Sequence, residues 1–145
     1  MHAEIVKVGT ELLLGELVDT SANRLAKALR GIGLDLYYKT TVGDNEARIT
    51  DVLNLALNRS DVIITSGGIG PTVDDVTRQA VANATGRKLI YSMDLEDQIA
   101  ARFRSFGREM AENNKRQAYI PDGALPLSNP VGTATFTVFL SSGTV

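Results

Sequence analysis

The 145-residue chain contains no cysteine and no tryptophan, and its single histidine, His2, stands beside the N-terminus. The lack of cysteine excludes disulfides and zinc–thiolate sites, and a lone histidine next to a terminus is poorly placed for ordered ligation or acid–base catalysis. An excess of charge of one sign is missing as well. Fifteen lysines and arginines face 17 aspartates and glutamates, for a formal net charge of -2. No general basic field exists to hold a nucleic-acid backbone, so nucleic acid is not an expected partner. Long apolar runs are also absent. The chain goes directly into Ala3-Glu4-Ile5-Val6-Lys7-Val8, too short and too interrupted by charge for a signal peptide or a membrane span. A cytoplasmic protein with no membrane partner is expected. The hydrophobic fraction, 43%, is enough for the core of one domain.

Apolar runs rich in β-branched residues alternate with stretches of helical period, which predicts an α/β domain with a mostly parallel, doubly wound sheet. Ile5 to Val8 reads as the first strand. Ala22, Leu25, Ala26 and Leu29 then share one face of a helix, capped by Asp19 or Thr20 and closed by Gly31. Leu34 to Val42 reads as the second strand. The next helix buries Ile49, Val52, Leu53 and Ala56, with Asp44 or Asn45 at its N-terminus. Asp61 opens the third strand, and Val76, Ala80, Val81 and Ala84 face inward on a helix whose first turn carries Asp74 and Asp75. Further on, Leu89 to Tyr91 reads as a short strand, and Leu95, Ile99, Phe103 and Phe106 keep helical spacing up to Gly107. The polar run Glu112 to Gln117 reads as a solvated helix face, and Phe136 to Leu140 as a last strand.

In an open parallel sheet, ligands bind beyond the carboxyl ends of the strands, and here three loops leave those ends with suitable residues: Gly9-Thr10-Glu11, Gly43-Asp44-Asn45, and Ser66 to Asp75. Glycines at 67, 68 and 70, followed by Pro71, allow successive backbone N–H groups to face one anion at the start of a helix. The spacing matches neither the dinucleotide fingerprint nor the lysine-containing phosphate loop. A tight turn with no ligand would use the same glycines. Glu11, Asp44, Asp74 and Asp75 would crowd this region, and two like charges about 4 Å apart cost roughly 4 kcal/mol at an effective dielectric of about 20. A divalent cation, Mg²⁺ above all, would bridge such carboxylates to phosphate oxygens. The aspartates are equally suited to helix capping, whereas Glu11 has no such role in this reading.

Five ordered blocks together resemble a known family. They are Gly9-Thr10-Glu11-Leu12-Leu13-Leu14-Gly15; Thr41-Val42-Gly43-Asp44-Asn45; Ser66 to Thr72 with Asp74 to Thr77; Glu112-Asn113-Asn114 with Arg116-Gln117-Ala118; and Asn129-Pro130-Val131-Gly132-Thr133. The chain from about residue 2 to residue 134 is similar to the MoaB/Mog-like molybdopterin-binding domain, in particular to the N-terminal domain of the competence/damage-inducible CinA proteins. The resemblance implies a three-layer α/β/α sandwich over residues 1–145, cut short at its C-terminal end and without an amidase domain. It implies a phosphorylated small-molecule partner, either an ADP-ribose-like nucleotide or molybdopterin, and a homo-oligomer. In the CinA branch the implied activity is a metal-dependent ADP-ribose pyrophosphatase; in the Mog-like branch it is adenylyl transfer to molybdopterin. A third reading is a nucleotide-binding or oligomerisation module without turnover. Asp44, Asp75 and Glu11 are the implied catalytic residues, with Asp44 and Asp75 on Mg²⁺. The implied ligand-binding residues are Gly9, Thr10, Ser66, Gly67, Gly68, Gly70, Pro71, Asp74, Asn129, Gly132 and Thr133. Ser21 departs from the family pattern, where Asn is usual, as does Ala134-Thr135 in place of Ala-Pro-Gly.

Overall fold

A computed structural model describes residues 1–138. Three parallel strands form the central sheet in the order β2-β1-β3: β1 is His2–Val8, β2 Asp35–Val42 and β3 Val62–Ser66. The middle strand is covered on both faces, so Ala3, Ile5, Val6 and Val8 are all buried, and the buried charges of Glu4 and Lys7 need partners. Ala3 and Ile5 point to one face, where they pack with Ala22 and Leu29 of α2 (Thr20–Gly31). Val6 and Val8 point to the other, against Ile49, Leu53 and Ala56 of α3 (Glu46–Arg59) and Ala80 of α4 (Thr77–Ala84). Each fully buried isoleucine, Ile5 or Ile49, contributes about 2 kcal/mol from the apolar surface it removes from water. The result is an α/β/α sandwich. The connection after β1 crosses one face and the connection after β3 the other, so the switch point of the sheet lies between these two strands.

The remaining elements flank the sandwich. A short helix α1 (Thr10–Leu13) follows β1. Strand β4 (Leu89–Tyr91) pairs antiparallel with β5 (Tyr119–Pro121), and β6 (Leu125–Leu127) with β7 (Phe136–Val138). Between them, Leu95 and Ile99 of α5 (Met93–Ser105) pack on Ala118 and Ile120. Residues 139–140 of the expected last strand lie outside the described residues.

Several local expectations change. The helix expected to close at Gly31 runs through it, and the left-handed turn is made by Gly33 (φ 75°), whose N–H bonds Arg30 O while Leu34 N–H bonds Leu29 O. Asp74 and Asp75 are not in the first turn of α4, which starts at Thr77 because Asp75 folds back onto its own loop. Phe106 caps the end of α5 and is 54% exposed, lying under the Arg102 guanidinium instead of in the core. The polar run Glu112–Ala118 is a 3-10 helix, and it is not a solvated face: Asn114 and Gln117 are buried and face one another.

Glu4 is fully buried at the amino end of β1. Its carboxylate accepts two bonds from Arg59 (2.9 and 2.7 Å), one from Thr40 Oγ1 (2.9 Å) and one from Ser60 Oγ (3.2 Å). Burial pushes this carboxyl upward, but the Arg59, Thr40 and Ser60 bonds outweigh it and hold the group below its ordinary 4.5. A depressed folded-state pKa stabilises above the unfolded value and is lost as pH falls through the folded one. The urea midpoint is therefore expected to be level from pH 7 to 5 and to fall below about 4.5. Glu4→Gln should flatten that fall, and an unchanged acid limb would remove Glu4 as a contributor.

Candidate functional site

At the carboxyl end of the sheet the three expected loops meet. Gly9 N–H donates to Val42 O (2.9 Å), tying the first loop to the second. Thr10 and Asp44 then exchange bonds: Thr10 N–H donates to Asp44 Oδ2 (2.9 Å) and Asp44 N–H to Thr10 Oγ1 (3.1 Å). Asn45, not Asp44, caps α3, by accepting from Arg48 N–H at 3.0 Å. Asp44 is thus oriented toward the start of α1. Glu11 also lies in the first turn of that helix, with its carboxylate folded back over Gly9, so close that a Cβ on Gly9 would stand 2.5 Å from Oε1. A carboxylate at a helix start is favoured electrostatically, a local role that the sequence reading did not give Glu11.

The third loop is pressed against β1. Gly67 has φ 98°, and a Cβ there would collide with the Val8 carbonyl oxygen; one on Gly68 (φ 63°) would collide with Thr77 Oγ1. Every carbonyl from Gly67 to Gly70 is engaged. Thr77 Oγ1 donates to Gly67 O (2.7 Å) and Thr77 N–H to Gly68 O (3.1 Å), while the Arg78 guanidinium donates to Ile69 O and to Gly70 O (3.1 Å). The amides of Gly68 and Ile69, by contrast, donate to no other described residue. Burial pushes the Arg78 pKa down, opposed by Asp75, though a guanidinium stays charged in any case.

Asp75 closes the loop. Its Oδ2 accepts from Thr72 N–H (2.8 Å) and Thr72 Oγ1 (2.7 Å), and Gly70 Cα lies against it. Burial pushes the Asp75 carboxyl up, yet the bonds from Thr72 and the Gly70 amide, with the Arg78 charge, hold it below the ordinary 3.8. It is ionised at neutral pH. Pro71 is half-buried in this loop and Asp74 is exposed.

Asn129, Gly132 and Thr133 sit elsewhere in the fold. Asn129 Oδ1 accepts from the Val131 and Gly132 amides (both 3.0 Å) and its Nδ2 donates to Ala134 O (2.8 Å), so Asn129 shapes its own loop. With Gly132 and Thr133 it lines a hollow against Leu95, Ile99 and Arg102 of α5. None of the described contacts brings it to the glycine turn. Two residues that were not among the expected site residues do reach the site, Arg116 of the fourth family block and Lys7. Arg116 Nη1 approaches Thr72 O at 3.5 Å from the 3-10 helix, and Lys7 Nζ donates to Ser66 Oγ at 3.0 Å. Lys7 could have been found from its sequence, since a lysine inside an otherwise apolar central strand needs a buried partner.

This combination, a parallel α/β/α sandwich with a glycine turn and two acidic loops at the carboxyl ends of its strands, defines a class of small-ligand-binding domain. Residues 4–144 match the family described as "Probable molybdopterin binding domain". Over its whole length the chain is 46% identical to a Caldicellulosiruptor saccharolyticus protein described as competence-damage inducible, of which it spans 35%. The crystal structure of the protein CinA, of unknown function, from Thermoplasma acidophilum superposes with a TM-score of 0.85. The identity there is 31%, covering 93% of this chain and 79% of that one. MoaB of Thermus thermophilus, at 23% identity and a TM-score of 0.57 over 83% of this chain and 78% of its own, shares the fold. The chain belongs to the molybdopterin-binding domain family, in its CinA branch. It spans about a third of the length of the curated relatives it matches. No described helix is long and apolar enough to cross a membrane.

Proposed function

We propose that the domain binds a phosphorylated small molecule at the Ser66–Asp75 loop and hydrolyses the pyrophosphate of an ADP-ribose-like nucleotide with a divalent cation. One observation carries this reading: the glycine turn has its carbonyls engaged and two amides left as donors, Asp75 closes the same loop, and Asp44 is held on the first loop at the same end of the sheet, each carboxylate oriented by a backbone N–H group. Amides fixed in this way favour the charge that grows on phosphate oxygens during substitution.

The residues fit Mg²⁺ of the substrate-borne kind. Among the described residues, no three acidic or histidine side chains converge to cage an ion, and Mg²⁺ commonly takes one or two carboxylates together with substrate phosphates. Asp44 and Asp75 would hold it, and when bound it supplies charge neutralisation across the pyrophosphate. Asp75, ionised and held by Thr72, also orients the attacking water. The water oxygen bonds to phosphorus as the bridging P–O bond breaks and the water's proton is released to solvent, giving AMP and ribose 5-phosphate. Glu11 and Asp74 lie in support.

Chromatography of ADP-ribose incubated with the protein and Mg²⁺ tests this reading. AMP is the expected product. Intact ADP-ribose at high enzyme concentration, with an active relative alongside, would overturn it. The family description, which names molybdopterin binding, favours molybdopterin as the ligand of a second reading; were that reading adenylyl transfer to molybdopterin, its signature would be an ATP-dependent adenylylated pterin. Tight ADP-ribose binding without cleavage would indicate the module without turnover.

A further inference from the structure

Lys7 is 5% exposed, one of the few charged side chains in the interior. Burying an ammonium is costly unless it is paired and hydrogen-bonded. Its strand partner across the β1–β3 ladder is Ser66, the residue that opens the glycine turn. Nζ donates to Ser66 Oγ (3.0 Å) and to Ser21 Oγ (2.5 Å), and lies 3.6 Å from Asp19 Oδ1, which supplies the balancing charge.

The two hydroxyls then differ. Ser21 passes its own hydrogen to Asp19 Oδ1 (3.2 Å), so that donor is used locally. Ser66 accepts from Lys7 and donates to no other described residue. A hydroxyl that accepts from an ammonium becomes the stronger donor. We infer that Lys7 is a positioning residue: by occupying the Ser66 oxygen it leaves the Ser66 hydroxyl hydrogen to be donated to an anionic phosphate oxygen held by the loop that Ser66 opens and that carries the Gly68 and Ile69 amides. The inference rests on the phosphate-binding reading above. It also gives this loop a further donor for an anion, since the Arg78 guanidinium at the start of α4 is engaged with the loop's own carbonyls.

A double-mutant cycle on calorimetric ADP-ribose binding is the test. Ser66→Ala is expected to weaken binding about tenfold, the value of one charge-assisted bond. Lys7→Met should weaken it by a similar factor, and the double variant by no more than either single change, because both remove one donor. Ser66→Thr, which keeps the hydroxyl, should bind within about threefold of the original. A purely structural lysine would lower the melting temperature and leave affinity alone. Unchanged affinity in Lys7→Met or Ser66→Ala, or effects that multiply, would overturn the inference while leaving phosphate binding in place. Should Lys7→Met fail to fold, the Ser66→Ala and Ser66→Thr pair decides: equal affinities in the two overturn it. Absence of ADP-ribose binding by the unaltered protein overturns both this inference and the function beneath it.

Discussion

Replacing Gly67 with alanine is expected to lower the melting temperature by about 10 °C. The residue has φ 98°, and an added Cβ would strike the Val8 carbonyl oxygen, which belongs to the backbone of the central strand and has no room to withdraw. The left-handed conformation costs roughly 1–2 kcal/mol and overpacking roughly 1–3 kcal/mol more. Together these give about 3 kcal/mol, and each kcal/mol shifts the midpoint by about 2–4 °C at this chain length. Gly15 is the control. It has φ 73° but nothing within 4 Å of a Cβ, so Gly15→Ala should incur the strain without the collision and lose less than half as much. Equal losses in thermal melts of the two variants would contradict the close approach of the turn to β1.

The second large effect falls on the reaction. Asp75→Asn is expected to lower turnover of ADP-ribose about 100-fold, the scale on which removal of one preorganised electrostatic group acts. Affinity should change much less, because the asparagine oxygen can still accept from Thr72 and the glycine turn is held by Thr77 and Arg78. Comparing kcat with the calorimetric Kd reads the two separately. An unchanged kcat would remove Asp75 from the reaction.

Where the sequence could be read, the signal was local. β1, α3 and the three loops at the carboxyl ends follow from apolar periodicity and from glycines beside a strand end, and the structure has them in place. Neighbouring residues of like chemistry were harder to separate. Asp44 and Asn45 both suit a helix cap, and only the fold brings Thr10 to Asp44 and leaves the cap to Asn45. Gly31 and Gly33 pose the same problem, settled by which peptide needed a left-handed turn. Long-range pairing was not legible at all. The charges of Glu4 and Lys7 interrupt an apolar strand, and their partners Arg59 and Asp19 lie 55 and 12 residues away in sequence. Asn114 and Gln117 look solvent-facing by composition but lie on the buried side of the 3-10 helix, where Asn114 Nδ2 reaches Gln117 Oε1.

Amide NMR of ¹⁵N-labelled protein titrated with ADP-ribose and Mg²⁺ reads directly whether a phosphate sits on the amides of Gly68 and Ile69 and engages Asp44 and Asp75. The Gly68 and Ile69 resonances are expected to move furthest and to saturate together with the ligand, with Thr10 and Thr72 following as Asp44 and Asp75 engage. Saturable shifts elsewhere, with the Gly68 and Ile69 amides unmoved, would contradict a phosphate bound there.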